Sequence, residues 1–397
     1  MTFPSQLTWT DLGDTYDGPH ATPQRVTSGP YFLNISSLSE GRLDLAKSDH
    51  VSAEEFTKWT RRVTPQADDL LFSYETRLGE AALMPDNVKA CLGRRMALLR
   101  PNRDIVHPRF LLYYYLSPAF QQLIEQNTIY GATVNRISLS TIGKWPVTIP
   151  SLKDQRSIAE VLGSLDDKIA ANTKIAETSS LLAQSLFAAA SGTGGIEVAL
   201  ADSCSLLSRG ITPKYSSDEE TMVVLNQKCV RGQRVDLAPS RRTLLTKVRQ
   251  EKILLEDDVL VNSTGQGTLG RVARWTHDAN VTVDSHITIV RFNPNVVDPV
   301  CGGFAMLHNE ENIAAMAEGS TGQTELSRVE LGKLTLRLPS LEQQQLLGRQ
   351  LATMTSMENA HLRESQTLAK TRDALLPQLM SGKLRVKDAE AIVAAAV

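Results

Sequence analysis

The chain has 397 residues, 42% of them apolar, and a formal net charge of −2, which leaves room for two or three packed cores and argues against disorder and against a globally basic nucleic-acid binder. No window approaches 18 apolar residues and the acidic opening MTFPSQLTWTDLGD has no apolar core segment, so the sequence predicts a cytosolic protein without export or membrane insertion. Its four cysteines, Cys91, Cys204, Cys229 and Cys301, are far apart, with no C-x-x-C pair and no histidine at ligand spacing, and are expected as free thiols.

From the start, Leu7 to Leu12 reads as a short strand or turn-rich entry, followed by a strand at Tyr31-Phe32-Leu33-Asn34-Ile35 and by Gly41-Arg42-Leu43-Asp44-Leu45. Asp68-Asp69-Leu70-Leu71 and Leu78-Gly79 come next, and Val106-His107-Pro108 precedes a helical stretch from Phe110 to Glu125. A polar loop, Gly131 to Arg136, leads to a short strand that ends at Pro150.

There Ser151 stands in the N-cap position of a long helix, because the residue before a proline avoids helix and a serine oxygen can accept the first free amides. Ile158, Leu162, Leu165 and Ile169 then step by 4, 3, 4, the spacing of a coiled-coil seam. The run lasts roughly 38 residues without a break, about 57 Å of helix, to Phe187 and the stop at Gly192.

Everything then happens again. Val223-Val224-Leu225-Asn226-Gln227 and Gln233 to Leu237 repeat the first two strands; Asp257-Asp258-Val259-Leu260, Leu269-Gly270 and Val297-Asp298-Pro299 repeat the later landmarks ahead of a helical stretch from Gly303 to Glu318. The loop Gly319 to Thr324 repeats Gly131 to Arg136, and Pro339-Ser340-Leu341-Glu342-Gln343-Gln344 repeats Pro150 to Gln155, with Ser340 and Gln343 forming a proper capping box. Leu347, Leu351 and Met354 carry the seam on toward Pro377 and Gly382, and Asn172 and His361 fall at matching mid-seam positions, either as register-fixing polar residues or as two solvated ones.

A repeat of this size is a duplicated domain. The expected fold is α+β: two pseudo-symmetric α/β domains separated by two long helices in an antiparallel coiled coil, with boundaries at 1–150, 151–192, 193–338, 339–382 and a tail at 383–397. Strands and caps agree between the halves while loop residues differ, so one scaffold carries two surfaces.

Catalytic signatures are missing. Gly265-Gln266-Gly267-Thr268-Leu269-Gly270 fits G-x-G-x-x-G after a strand, but Arg271-Val272-Ala273-Arg274-Trp275 alternates like a second strand, whereas a dinucleotide fingerprint needs a helix there to meet the pyrophosphate. There is no Walker sequence, nucleophile elbow or H-E-x-x-H, and Asn293-Pro294-Asn295-Val296 is the nearest approach to the Asn-Pro-Pro-aromatic motif of adenine-N6 methyltransferases. Charge, in contrast, is concentrated: Lys228, Arg231, Arg234, Arg241, Arg242, Lys247, Arg249 and Lys252 face only Asp236 and Glu251, and Arg94, Arg95, Arg100, Arg103 and Arg109 face Asp104. Such runs are solvated faces or phosphate contacts.

The paired strand-Pro-helix starts, the stretch Asn262 to Gly270 and the closing Leu379-Met380-Ser381-Gly382-Lys383 resemble the specificity subunit of type I restriction-modification enzymes over nearly the whole chain. The family pattern Pro-Pro-Leu-x-Glu-Gln has Ser151 and Ser340 in place of its second proline and Asp154 and Gln343 in place of glutamate. The resemblance implies two target-recognition domains reading the halves of an asymmetric bipartite DNA sequence, with paired helices as a ruler across an unread spacer. It also implies partners: double-stranded DNA, two methyltransferase subunits that transfer a methyl group from S-adenosylmethionine to adenine N6, and motor-nuclease subunits using ATP and Mg, with no catalysis and no cofactor in this chain.

Under that reading Lys228, Arg231, Arg241, Arg242, Arg94 and Arg95 are candidates for phosphate, and Tyr74, Thr76, Arg77, Asn135, Arg136, Gln266, Thr268, Gln323 and Thr324 for base edges. Loop capping is the competing role for Gln323 and Thr324, and a salt bridge to Glu75 or Glu80 for Arg77. Two rival functions are a duplicated coiled-coil adaptor without DNA specificity and an enzyme, either nucleotide-binding through the Gly265 loop or a methyltransferase fusion.

Overall fold

The computed structural model describes residues 7–131, 133–192, 195–217, 220–318 and 325–396. It divides into two compact units, Met1–Ala171 together with Glu364–Val397, and Asn172–Arg363.

In the first unit an antiparallel sheet has the strand order β1 (Gly13–Asp17), β7 (Met96–Pro101), β4 (Leu70–Ser73), β5 (Ala81–Leu83). A second sheet centres on β2 (Arg25–Leu33), antiparallel to β3 (Asp49–Val51) and parallel to β6 (Ala90–Leu92). Helices α1 (Pro108–Leu116) and α2 (Pro118–Gln126) follow, then α3 (Leu152–Gly192). The single helical stretch expected from 110 to 125 is two helices, because Pro118 has no amide to continue the ladder and Ser117 caps the new start, its Oγ accepting from the Phe120 N–H at 3.4 Å.

The second unit repeats this plan strand for strand. β8 (Cys204–Arg209), β14 (Ile287–Phe292), β11 (Val259–Asn262) and β12 (Val272–Arg274) form the four-stranded sheet; β9 (Thr221–Leu225) lies antiparallel to β10 (Arg241–Leu244) and parallel to β13 (Val281–Val283). Register repeats as well: Leu98 faces Leu71 where Ile289 faces Leu260, and Tyr31 faces Ala90 where Val223 faces Val281. Helices α4 (Pro299–His308) and α5 (Glu310–Glu318), again broken where one was expected, lead to α6 (Leu341–Met380) and α7 (Val386–Ala396). Val272–Arg274 is a strand, as its alternation predicts, so no helix follows the Gly265 turn.

Each unit holds part of both long helices. In the first, Ile158, Leu162, Leu165 and Ile169 share a buried core with Leu368, Leu375 and Leu379 from the far end of α6, and with Ala389 and Val393 of α7. In the second, Ala183 and Phe187 near the end of α3 share a core with Leu347 and Leu351 near the start of α6. The helices therefore pair antiparallel. Within the second unit the buried Asn172 meets His361 across the pair, Oδ1 to Nδ1 at 3.2 Å, so the mid-seam polar positions are bonded to each other rather than solvated.

Both helix starts are tied to their own domain by a buried glutamine. Gln155 Oε1 accepts from the His107 N–H at 2.9 Å while Nε2 donates to Ile105 O and Pro150 O; Gln344 Oε1 accepts from the Asp298 N–H at 3.0 Å while Nε2 donates to Pro339 O. The capping box at Ser340 closes both ways, Gln343 N–H to Ser340 Oγ at 3.4 Å and Ser340 N–H to Gln343 Oε1 at 3.3 Å.

Candidate nucleic-acid interface

In each unit several chain segments converge just beyond the strand ends of the four-stranded sheet. In the first, the Tyr74 N–H donates to Arg95 O at 3.2 Å and the Ile137 N–H to Tyr74 O at 2.8 Å, while Glu75 and Arg136 bridge antiparallel. This sets Arg95, Glu75 and Arg136 side by side, with Arg136 paired in both directions to the backbone of the exposed Ile129. In the second unit the Ser263 N–H donates to His286 O at 2.9 Å and the Leu326 N–H to Ser263 O at 2.9 Å, while Thr264 and Glu325 bridge antiparallel. His286, Thr264 and Glu325 thus occupy the matching places.

Side chains at this edge do not repeat. Arg95 Nε reaches Glu75 Oε2 at 3.4 Å, where Thr264 Oγ1 meets His286 Nδ1 at 2.6 Å. One strand further out, Gly18 and Gly210 make the same backbone bond, to Met96 O and Ile287 O, both at 2.9 Å. The residues before them are opposite in charge: Asp17 pairs with Arg62, whereas Arg209 donates to Glu325 Oε1 at 2.8 Å, Leu326 O at 2.9 Å and Ser285 O at 3.0 Å. Arg136 likewise stands where Glu325 stands.

Of the residues singled out in the sequence, Tyr74, Thr76, Arg94, Arg95, Asn135 and Arg136 are brought together. Thr76 donates its N–H to Asn135 O at 2.9 Å and holds φ +69, where the second unit has Gly265 at φ +105; a β-branched residue in that region is an outlier. Tyr74 itself is 4% exposed; its hydroxyl donates to Arg94 O at 2.8 Å and burial pushes its pKa up to about 12. It carries the exposed Arg94 rather than facing solvent. Arg77 turns aside, donating to Ile35 O at 2.9 Å and to Glu80 Oε1 at 2.9 Å, the salt bridge that competes with base contact.

In the second unit the turn Gly265–Thr268, with exposed Gln266 at its tip, packs on the short helical turn at Gln227. Asn262 Nδ2 clips the two together, donating to Gln227 O at 2.9 Å and Thr268 O at 3.1 Å. Lys228 is the next residue and is exposed, as is Arg231 in the following hairpin. Arg242 is held by its Nε to Thr221 Oγ1 at 2.7 Å, and Arg241 lies over the half-exposed Tyr215 ring at 4.6 Å. The basic run is thus thinner than its count: Arg234 pairs with Glu358 and Lys252 is buried against Ser208, burial lowering its pKa. Gln323 and Thr324 lie outside the described residues.

Arg209, His286 and Glu325 were not singled out in the sequence, although the spacing of Gly18 and Gly210 to their following strands marks Arg209. Among the described residues no group of three or more His, Cys, Asp or Glu is placed to hold a metal ion, and no helix is long and apolar enough to cross a membrane.

Residues 32–178 match the family model for the type I restriction modification DNA specificity domain. A protein of Methanocaldococcus jannaschii described as the type I restriction enzyme MjaX specificity subunit is 20% identical over 408 aligned positions, 94% of this chain and 91% of its own. The chain is similar to type I specificity subunits over nearly its whole length, and the type I DNA specificity domain lies within it at residues 32–178. The HindI specificity subunit of Haemophilus influenzae is 30% identical over 126 positions, 30% of this chain and 27% of its own. In fold, the chain matches the type I restriction-modification S subunit from M. genitalium with a TM-score of 0.62 at 16% identity, covering 95% of this chain and 96% of that one. The family model spans most of the first α/β domain and part of the first long helix, and the repeated register gives the second domain the same plan.

Proposed function

We propose that this chain is a specificity subunit that supplies the DNA address of a type I restriction-modification complex and none of its chemistry. Each unit reads one half of a bipartite asymmetric sequence, directing adenine-N6 methylation, and ATP-dependent restriction where a nuclease is present, by partner subunits. S-adenosylmethionine, ATP and Mg belong to those partners. The observation that carries this reading is the repeated backbone with unlike side chains at its edge: identical strand register presents Arg95, Glu75 and Arg136 in one unit and His286, Thr264 and Glu325 in the other. Two copies of one reader would select a symmetric site, whereas two different edges on one scaffold suit an asymmetric one.

Phosphate contacts are assigned to Lys228, Arg231, Arg241 and Arg94, whose side chains have no carboxylate partner among the described residues, and base contacts to the Thr76, Asn135, Arg136 edge and the Gln266, Thr268 turn. The experiment is binding of the assembled subunit and its methyltransferase partners to a duplex carrying the target, at several salt concentrations. A steep fall of affinity with salt supports a phosphate-neutralising reader; no binding at any salt by an assembled complex supports the adaptor.

A further inference from the structure

Arg136 and Glu325 occupy one position of the duplicated scaffold, each bridged antiparallel to the residue after a buried strand end, Glu75 in one unit and Thr264 in the other. Their chemistry is opposite. Arg136 is exposed, and its guanidinium has no ion-pair or hydrogen-bond partner among the described residues. Glu325 keeps 62% of its side chain exposed, yet one oxygen is held by Arg209, which is itself only 20% exposed and anchored to two backbone carbonyls.

A carboxylate on a surface that meets DNA is repelled by phosphate, so a bare one would weaken binding. Arg209 offsets that charge and holds one carboxylate oxygen, leaving the other without a hydrogen-bond partner among the described residues. A guanidinium presents paired donors and suits the O6 and N7 acceptors of guanine; a carboxylate presents acceptors only and suits the N4 amine of cytosine.

Resting on the DNA-reading function proposed above, we infer that Arg136 and Glu325 are matched specificity positions, Arg136 reading a guanine in one half-site and Glu325 the amine of a cytosine in the other, with Arg209 as the positioning residue for Glu325.

The test is selection from a randomised duplex library by the full chain assembled with its methyltransferase subunits, comparing wild type with Arg136→Gln, Glu325→Gln and, as a surface control, Glu330→Gln. The expected result is a guanine in one half-motif whose preference falls about tenfold to hundredfold in Arg136→Gln, a cytosine in the other half-motif that relaxes likewise in Glu325→Gln, and an unchanged motif in the control. Each variant should leave the opposite half-motif intact and unfold at the wild-type temperature. A wild-type bipartite motif that neither variant alters overturns the inference, as does equal loss of both half-motifs in a folded variant. An assembled wild-type complex that selects no motif overturns the DNA-reading function itself.

Discussion

Arg100 grips Asp69 through two parallel bonds, Nε to Oδ1 at 3.0 Å and Nη2 to Oδ2 at 2.8 Å, and Arg291 repeats the grip on Asp258 at 2.8 and 2.6 Å. Both aspartates are 1% exposed, and each arginine also donates to one loop carbonyl, Thr64 O or Ile253 O. Such forks are stronger than point-charge pairs and expensive to break from one side. Because the arginines are themselves partly exposed, Asp69→Asn and Asp258→Asn are each expected to cost about 2 to 3 kcal/mol, read from the midpoint of urea unfolding.

Gly79 and Gly270 hold matching left-handed positions, φ +86 and +83, but face different neighbours. A Cβ on Gly270 would lie 2.4 Å from the Ala314 Cα, part of the backbone of α5, whereas one on Gly79 would meet the end of the Gln121 side chain, which can swing away. Gly270→Ala should therefore destabilise by several kcal/mol and Gly79→Ala by about 1 kcal/mol, mostly the cost of φ. Equal losses in thermal unfolding would contradict this account.

Gln155 satisfies the part-buried His107 amide and donates to two carbonyls from a position 1% exposed. Gln155→Leu keeps the volume and strands those groups, so a loss of about 2 to 4 kcal/mol is expected. Gln344→Leu, which leaves the Asp298 amide and Pro339 O unpaired, should cost slightly less.

His107 and His277, one in each unit, have their pKa lowered below the ordinary 6.5, chiefly by burial; Arg156 adds to the effect at His107 and Arg363 at His277. With the folded pKa depressed, the unfolded chain takes up protons first. The contribution to stability is therefore complete above about pH 6.5 and is lost as pH falls through the folded values. Melting temperature should drop between pH 7 and 5, and a His107→Gln, His277→Gln double variant should flatten that slope.

Lys228 and Arg231 make no ion pair among the described residues, while Arg234 is bound to Glu358 at 2.6 Å. Replacing Lys228 and Arg231 by serine should lower DNA affinity and reduce the slope of log affinity against log salt by about 2, one for each phosphate no longer neutralised. Arg234→Ser should alter stability more than that slope.

Duplication and the helix starts were legible because they rest on local rules: proline before a cap, the 4-3-4 apolar step, and turns at Asp68 and Asp257 that recur with the same spacing. The edge of the site was legible only in part. Thr76, Asn135 and Arg136 lie on loops whose convergence comes from tertiary pairing, and Glu325 and Arg209 meet across 116 positions, which no periodicity reveals. Tyr74 looked like a contact residue, but its aromatic body is needed in the core. Charge counting overstated the basic run, since sequence proximity cannot distinguish Lys228 in solvent from Lys252 buried against Ser208.

Sequencing of N6-methyladenine in a methylation-free host, with the cognate methyltransferase subunit expressed alone and then with this chain, tests the central claim most directly. One asymmetric bipartite motif that appears only with this chain is the predicted result. An assembled, active complex that methylates no new motif, or a symmetric motif made of two identical halves, would contradict it.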